Sequence, residues 1–352
     1  MANDEKPVKV LHVTECFAGG VQTALEGYAS ADITVEHHII YSARRHPQKL
    51  MKPRQELFNT VSVLPYSHFA ATKAVMKKVR TARPDVLHAH SSFAGVYARV
   101  AGILTKTPVV YTPHGLAYQR KDISIVRRGV FQLIEKILAP FTAVLAGCAS
   151  YETRLLRRLS SKPTTLVIPN ALSDEREAVL RRIRKQDHKG PRKVTFIGRI
   201  TAARDPEMAA KIAEFLIRAG LSVQWIGDGD PGFRDLLEHK GVHVTGWLQE
   251  EELAQALSEV DLVIHTSKWD GFPLTILEVI VTDLPLLVQR IEALEECPKF
   301  ALFETAEEAA LKALSILDGR ESVDWSPITN FYNRVNQAEQ LNKAYRSAHA
   351  KR

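Results

Sequence analysis

Two carboxylates separated by seven residues, Asp270 and Glu278, frame the segment in this sequence with the most chemical content, His265-Thr266-Ser267-Lys268-Trp269-Asp270-Gly271-Phe272-Pro273-Leu274-Thr275-Ile276-Leu277-Glu278. Pro273 suits a first helical turn, so a helix is expected to start at Gly271 or Phe272. The N–H groups near Leu274 and Thr275 are then open to a phosphate or sugar oxygen. A carboxylate one turn further in, Glu278, cannot pair with phosphate but can accept two hydrogen bonds from a ribose diol, while Asp270 can accept from hexose hydroxyls. The plainer readings are charge complementarity at a helix N-terminus for Asp270 and a solvated helix residue for Glu278. Among Ile276, Leu277, Val279 and Ile280 an idle glutamate is the less comfortable choice.

Arg199 and Arg204 stand five residues apart after Phe196-Ile197-Gly198. On a loop entering a helix they form a fork suited to a diphosphate, although loop arginines are often merely solvated. Ile226-Gly227-Asp228-Gly229-Asp230-Pro231 reads as a sharp strand-to-helix turn. Near the start, Thr14-Glu15-Cys16-Phe17-Ala18-Gly19-Gly20 places paired glycines at a helix opening, where an anion could approach the backbone. This is not G-x-G-x-x-G, and no acid follows the second strand, so the dinucleotide fingerprint fails. His114, held between Pro113 and Gly115, is a candidate donor to a sugar hydroxyl or phosphate. His88 and His90 share one strand face and read as a hydrogen-bonded, partly buried pair, with no third metal ligand apparent.

The elements that must position these groups alternate between β-rich runs and helical spacing, twice over. In the first half the expected strands are Val8–Val13, Ile33–Tyr41, Val86–His90, Val109–Thr112, Ala143–Ala146 and Thr165–Ile168. In the second they are Val194–Gly198, Ser222–Ile226, His243–Gly246, Leu262–His265 and Leu286–Val288, with helices over Asp205–Arg218 and Glu250–Ser258. This predicts two doubly wound α/β domains, 1–170 and 193–329, joined by a charged helix and linker over 171–192. A last helix over 330–350 is expected to dock through Phe331, Val335, Ala338, Leu341, Ala344 and Tyr345.

The chain has 352 residues, 45% hydrophobic and 25% charged, which excludes wholesale disorder and small disulfide-stapled modules. Cys16, Cys148 and Cys297 are too few and too scattered for a disulfide framework, so a reducing cytosol is expected. The N-terminal residues lack the basic-then-apolar order of a signal peptide, and no run is long enough to span a bilayer. The net charge of +7 is uneven: residues 1–170 carry 23 Lys+Arg against 11 Asp+Glu, residues 171–352 carry 24 against 29. Residues 118–138 mix basic and apolar residues at helical spacing. With Arg44, Arg45, Lys49, Lys52, Arg54, Lys73, Lys77, Lys78 and Arg80 they could form a surface resting on anionic lipid, or ordinary core helices with solvated faces. Nucleic acid is not expected, because no recognition motif or interleaved stacking aromatics accompany the basic residues.

Taken together, Gly19-Gly20, Thr112-Pro113-His114-Gly115, Ile168-Pro169-Asn170, Gly198-Arg199 with Arg204, Gly227-Asp228-Gly229 and Asp270-Gly271-Phe272-Pro273-Leu274 with Glu278 resemble the retaining nucleotide-sugar glycosyltransferases of family 4. The resemblance runs through nearly the whole chain. It implies the GT-B fold, two facing Rossmann-like domains with a C-terminal helix crossing back to the first, and transfer of a hexose from a nucleoside-diphosphate sugar, a UDP-sugar by family habit. The acceptor implied is a glycan or lipid-linked precursor of a surface polysaccharide, met in the cytoplasm or at the inner face of the membrane. By the same resemblance Glu278 holds the ribose, and Asp270 with the Gly271, Phe272, Pro273, Leu274 and Thr275 stretch holds the donor sugar. Arg199 and Arg204, aided by Gly19 and Gly20 across the cleft, neutralise the diphosphate without a metal or other cofactor, and His114 reaches the sugar. Asp270 stands where the family usually has glutamate, Arg204 where lysine is commoner, and Thr282-Asp283-Leu284-Pro285 replaces a glycine-containing pattern. The alternative reading is an inactive GT-B clamp serving as a binding or scaffold subunit, and a sugar-nucleotide epimerase of similar architecture is a third.

Overall fold

The computed structural model describes residues 6–31, 34–42, 52–183, 185–186 and 190–351. In chain order the first strands and helices are β1 (Val8–Thr14), α1 (Gly19–Ala29), β2 (Val35–Tyr41), β3 (Thr60–Val63), α2 (His68–Ala82), β4 (Val86–His90), α3 (Ser92–Thr105), β5 (Val109–Thr112), α4 (Ile125–Leu138), β6 (Val144–Gly147), α5 (Ser150–Arg157) and β7 (Thr164–Val167). There follow α6 (Asp174–Arg181), β8 (Lys193–Ile197), α7 (Pro206–Arg218), β9 (Ser222–Ile226), α8 (Pro231–His239), β10 (His243–Val244), α9 (Glu250–Ser258), β11 (Leu262–His265) and α10 (Leu274–Val281). The chain closes with β12 (Leu286–Gln289), β13 (Leu302–Phe303), α11 (Ala306–Leu317), α12 (Ser326–Phe331) and α13 (Arg334–His349).

These elements form two compact units, Met1–Ser173 with Tyr332–Arg352, and Asp174–Phe331. The first holds a seven-stranded sheet ordered β3-β2-β1-β4-β5-β6-β7, the second a six-stranded sheet ordered β10-β9-β8-β11-β12-β13, and every strand pair is parallel. Both orders reverse direction beside the first strand of the unit, as doubly wound folds do, and collect the strand-to-helix loops at one carboxyl edge. The central strands are buried from end to end, β4 as Val86-Leu87-His88-Ala89-His90 and β11 as Leu262-Val263-Ile264-His265. Strands covered on both faces read as continuous apolar runs, which is why the sequence reveals them.

Two strands escape that reading. β3 is an edge strand with no fully buried residue, and β13 has only two residues, so neither has a hydrophobic run to betray it. The second strand begins at Val35, Ile33 lying outside the described residues, and the strand expected over His243–Gly246 stops at Val244. The strand expected to reach Gly198 ends at Ile197, because Gly198 takes φ +129. The segment 171–192 contains α6, which clusters with the second unit; residues 184 and 187–189 are outside the described set.

The C-terminal helix packs on the first unit, with Leu341, Ala344, Tyr345 and Ala348 sharing a cluster with Val10, Val86, Val110 and Val144. Expected as one helix over 330–350, it is two, α12 and α13, because Asn333 breaks away and its side chain caps the Asn336 N–H of α13. The buried face is also rotated from expectation. Val335 is 80% exposed, whereas Gln337 is buried and donates to the Pro169 carbonyl at 2.9 Å.

The helix α4 is inverted. Its buried residue is Glu135, while Ile125, Val126, Val130, Leu133 and Ile137 are all more than half exposed. The sequence admitted an ordinary core helix here; the structure turns the apolar stripe outward because Glu135 is anchored within. Its carboxylate meets the Arg99 guanidinium of α3 at 2.9 Å and accepts from Tyr111 Oη at 2.7 Å, and Arg99 lies over the Tyr111 ring and donates to the Gly95 carbonyl. Gly95 is required, since a Cβ there would meet Tyr111 at 2.5 Å. Removing one partner leaves the other charge buried alone. Glu135→Ala should therefore lower the stability of the first unit by about 3 kcal/mol, and Arg99→Met with Glu135→Leu should recover most of it, read from urea midpoints.

Candidate functional site

In the first unit, α1 opens at Gly19, which takes φ +54, and its preceding residue Ala18 supplies no side-chain cap. Gly19 and Gly20 are exposed, and a Cβ built on either meets nothing within 4 Å. No side chain of Ala18 caps the first turn, whose N–H groups lack intrahelical acceptors, the arrangement suited to an anion. The neighbouring loop is tied down by Glu15, whose carboxylate accepts from Ser91 Oγ and, at 3.0 Å, from the Ala94 N–H of α3.

His114 follows β5 at the same edge, with φ +50, a left-handed conformation uncommon outside glycine, and Gly115 after it takes φ +101. The turn is held by Glu152 of α5, which is buried and accepts from the Gly115 N–H at 2.7 Å and the Cys148 N–H at 2.9 Å. Nothing in the sequence marks Glu152, because its partners are backbone groups of two different loops.

His88 and His90 are fully buried rather than partly so. His88 shares hydrogen bonds with Tyr345 Oη of α13 at 3.0 Å and Thr112 Oγ1 at 2.9 Å. The third ligand not apparent in the sequence is His12: β1 pairs beside β4 with His12 opposite His88, and nitrogens of His12, His88 and His90 lie within 4.8 Å of one another. As a metal centre this set fits poorly. Both nitrogens of each ring already face hydrogen-bonding partners, so a metal would have to break those bonds to gather three lone pairs.

In the second unit the carboxyl edge carries the remaining candidates. Gly227 and Gly229 exist because two backbones touch: a Cβ at 227 would lie 2.2 Å from the Gly198 carbonyl oxygen, and one at 229 would lie 2.0 Å from that of Ile200. Ile200 donates to the Asp228 carbonyl and accepts from the Asp230 N–H, so the loop after β8 is bonded along the loop after β9. Trp225 Nε1 adds a bond to the Gly198 carbonyl at 2.8 Å. This fastening sets the course of the chain through Arg199 to Arg204.

Arg204 is a hub. Its Nη1 faces Asp270 Oδ2 at 2.7 Å, Ser267 Oγ at 3.0 Å and His265 Nε2 at 3.1 Å, while the other Asp270 oxygen accepts from the Gly271 N–H at 2.7 Å. Burial, then the nearby Arg204 charge, push the His265 pKa well below its usual value, so a neutral ring accepts from the guanidinium. Nε and Nη2 of Arg204 have no partner among the described residues. Gln289 braces the loop by accepting from the Ser267 N–H and donating to Asp205, both at 2.9 Å. Arg199 does not join this cluster; its guanidinium lies 5.8 Å from the Trp247 ring centre.

The helix expected to start at Gly271 or Phe272 starts at Leu274, because Pro273 is extended at ψ 125 and occupies the capping position. Leu274 and Thr275 thus open α10, and Phe272 is buried beneath. Glu278 pairs with Arg176 of α6, Nε to Oε1 at 2.9 Å, and its Oε2 has no partner among the described residues. Nothing in the sequence marks Arg176, and His265 and Ser267 stand in the segment of most chemical content with no role legible from spacing. Their roles depend on contacts made across sixty to a hundred positions of chain.

The comparisons agree with this architecture. Residues 18–171 match the family described as Glycosyl transferase 4-like domain, and residues 191–318 match Glycosyl transferases group 1. The chain is 28% identical over 243 residues to the UDP-Gal:alpha-D-GlcNAc-diphosphoundecaprenol alpha-1,3-galactosyltransferase of Escherichia coli, covering 62% of this chain and 61% of that protein. It is 24% identical over 331 residues to an uncharacterized 41.2 kDa protein in the cps region of Klebsiella pneumoniae, 91% and 92% of the two chains. In fold it is similar to Anabaena Alr3699/HepE in complex with UDP, with TM-score 0.72, 16% identity and coverage of 97% and 100%.

Burial, with the charges of neighbouring histidines added for some, depresses the histidines buried against the first sheet. His12, His88 and His90 fall well below their usual value, and burial alone takes His114 to about 4, as burial and His38 do His37. The unfolded chain binds protons near pH 6.5 that the folded one refuses, so stability is full above that pH and drains as pH falls toward 4. For His37 alone the loss is on the order of 3 kcal/mol. Melting of the first unit should shift steeply downward across that window, and a flat profile would contradict the neutral cluster. Two parallel sheets wound in the GT-B manner and two family matches spanning most of the sequence lead to one assignment: the chain belongs to the family 4-like, group 1 glycosyltransferases, which transfer a sugar from a nucleotide-sugar donor.

Proposed function

We propose that this glycosyltransferase moves a hexose from a UDP-sugar to a diphosphate-lipid-linked glycan during surface polysaccharide synthesis, with retention at the sugar. The observation that carries this reading is the Arg204–Asp270 pair beside the opening of α10, with Glu278 one turn further in. Glu278 is assigned to the ribose diol, and its Oε2 remains open for that bond. Asp270 and the Gly271–Thr275 backbone are assigned to the donor sugar, and Nε and Nη2 of Arg204, with Arg199, to the diphosphate. From the first unit, Gly19 and Gly20 are assigned to the diphosphate and His114 to the donor sugar. Fixed guanidiniums and helix N–H groups supply the positive charge, so the reading needs no metal; the leaving diphosphate and the aligned acceptor do the rest.

UDP is supported by the complex of the fold relative, and a lipid-diphosphate acceptor by the name of the Escherichia coli relative. No helix among the described residues is long and apolar enough to cross a membrane. The outward stripe of α4 suits a peripheral site on the inner face, because Arg127 and Lys136 are exposed on the same helix as the apolar residues. Lys52, Arg54, Lys73, Lys77, Lys78 and Arg80 add positive charge to this unit; Arg44, Arg45 and Lys49 lie outside the described residues.

Calorimetry with UDP, GDP, ADP and CDP tests the donor site. UDP should bind with and without chelator, and Glu278→Ala should weaken it at least tenfold. No binding by any diphosphate would instead favour the scaffold alternative. For the surface, the wild type should co-sediment with anionic vesicles at low salt, and Val130→Asp with Leu133→Asp should abolish that; equal sedimentation of both would remove the lipid contact.

A further inference from the structure

Four histidines cross the first sheet on a diagonal. His37 lies on β2 opposite Val10, His12 is on β1, and His90 on β4 is opposite Thr14, with Thr112 of β5 opposite His90 in turn. His114 lies two residues past Thr112. Each histidine is thus two residues nearer the carboxyl edge than the one before. Side chains two apart on a strand share a face, so the parallel register brings His37, His12 and His90 into a row, and the turn after β5 that carries His114 extends it.

They meet edge to edge. His37 Nδ1 faces His12 Nε2 at 2.9 Å, His12 Nδ1 faces His90 Nε2 at 3.0 Å, and His90 Nδ1 faces His114 Nε2 at 3.1 Å. Successive ring centres are 5.1, 5.2 and 5.3 Å apart, with planes tilted by 26, 23 and 22°. With the nitrogens this close, such separations describe rings joined in line rather than stacked face on face.

All four rings are held neutral by burial, and a neutral imidazole has one N–H and one lone pair. Each link needs one of each, so choosing the tautomer of one ring chooses all four. If every ring carries its proton on Nδ1, each donates toward the edge, and the far end is a bare lone pair on His37 Nε2. If every ring carries it on Nε2, that far end is an N–H. His37 Nε2 is buried and has no partner among the described residues, and orphaned buried N–H groups are rarer in folded proteins than under-satisfied acceptors. The Nδ1–H set is favoured.

We propose that His37, His12 and His90 form a tautomer relay that fixes His114 as an Nδ1–H donor aimed out of the sheet, toward an oxygen of the donor sugar. His114 is the partly exposed member of the row, and its Nδ1 has no partner among the described residues. The functional half of this proposal rests on the assignment of His114 to the sugar. His12 and His90 are positioning residues: they touch no substrate and act by denying His114 the other tautomer.

Long-range ¹⁵N–¹H correlation on protein labelled at histidine reads the tautomers directly in the unaltered protein. The expected result is Nδ1–H at His37, His12, His90 and His114 at pH 7.5. Nε2–H at His114, or mixed tautomers along the row, would overturn the relay, as would zinc added alone shifting these signals to those of a metal-bound ring at stoichiometric amounts. His90→Leu should move His114 toward Nε2–H and lower kcat/KM for the sugar nucleotide about tenfold with UDP affinity unchanged. His90→Asn, whose amide N–H can replace the missing donor, should restore both the tautomer and the rate. Equal rates for the Leu and Asn variants would overturn the positioning role. Full activity of His114→Ala would overturn the assignment of His114 to the sugar while leaving the tautomer spectrum intact, so the two failures are distinguishable.

Discussion

Everything that bears on function in this protein hangs on the parallel register of its two sheets. In a parallel sheet all carboxyl ends share one edge, so loops distant in sequence become neighbours without any contact being designed between them. The first sheet collects Gly19, Gly20 and His114 in this way, and the second collects Arg204, Asp270 and the opening of α10. The same register sets the histidine diagonal. A slip of one residue between β1 and β4 would send His12 and His90 to opposite faces and end the row.

A second constraint is how each unit accommodates polar groups inside it. The first unit buries an arginine and a glutamate as a pair and several histidines as neutral rings, each with defined partners. Such groups are costly when their main partners are lost, so they impose one arrangement on the elements that carry them. Glu135 shows the consequence most directly. Because its carboxylate must reach Arg99 and Tyr111, α4 can point only one way, and its apolar stripe faces outward.

The second unit reaches the same end through backbone contact. Gly198, Gly227 and Gly229 allow the loops after β8 and β9 to run against one another with no side chain between. That contact fixes where the guanidinium of Arg204 emerges, and His265 at the end of β11, with Ser267 and Asp270 of the loop that follows, then holds it. Asp270 is one methylene shorter than glutamate, and it still meets Arg204 at 2.7 Å. The arginine at position 204 thus reaches the shorter acid that stands opposite it.

The sequence by itself determined the fold class, most strands to within a residue or two, and the loops that bear the chemistry. These are local properties: buried parallel strands are apolar runs, helices are periodic, and glycine and proline punctuate the turns. Edge strands such as β3 and β13 lack that signature and were legible only in the structure. What the tertiary structure alone decided were partnerships across long stretches of chain. Arg204 with Asp270, Glu278 with Arg176, Glu152 beneath His114, the outward turn of α4 and the row from His37 to His114 all depend on strand register and helix rotation. A single sequence encodes those through the global minimum of packing and polar satisfaction, not through the spacing of any one motif.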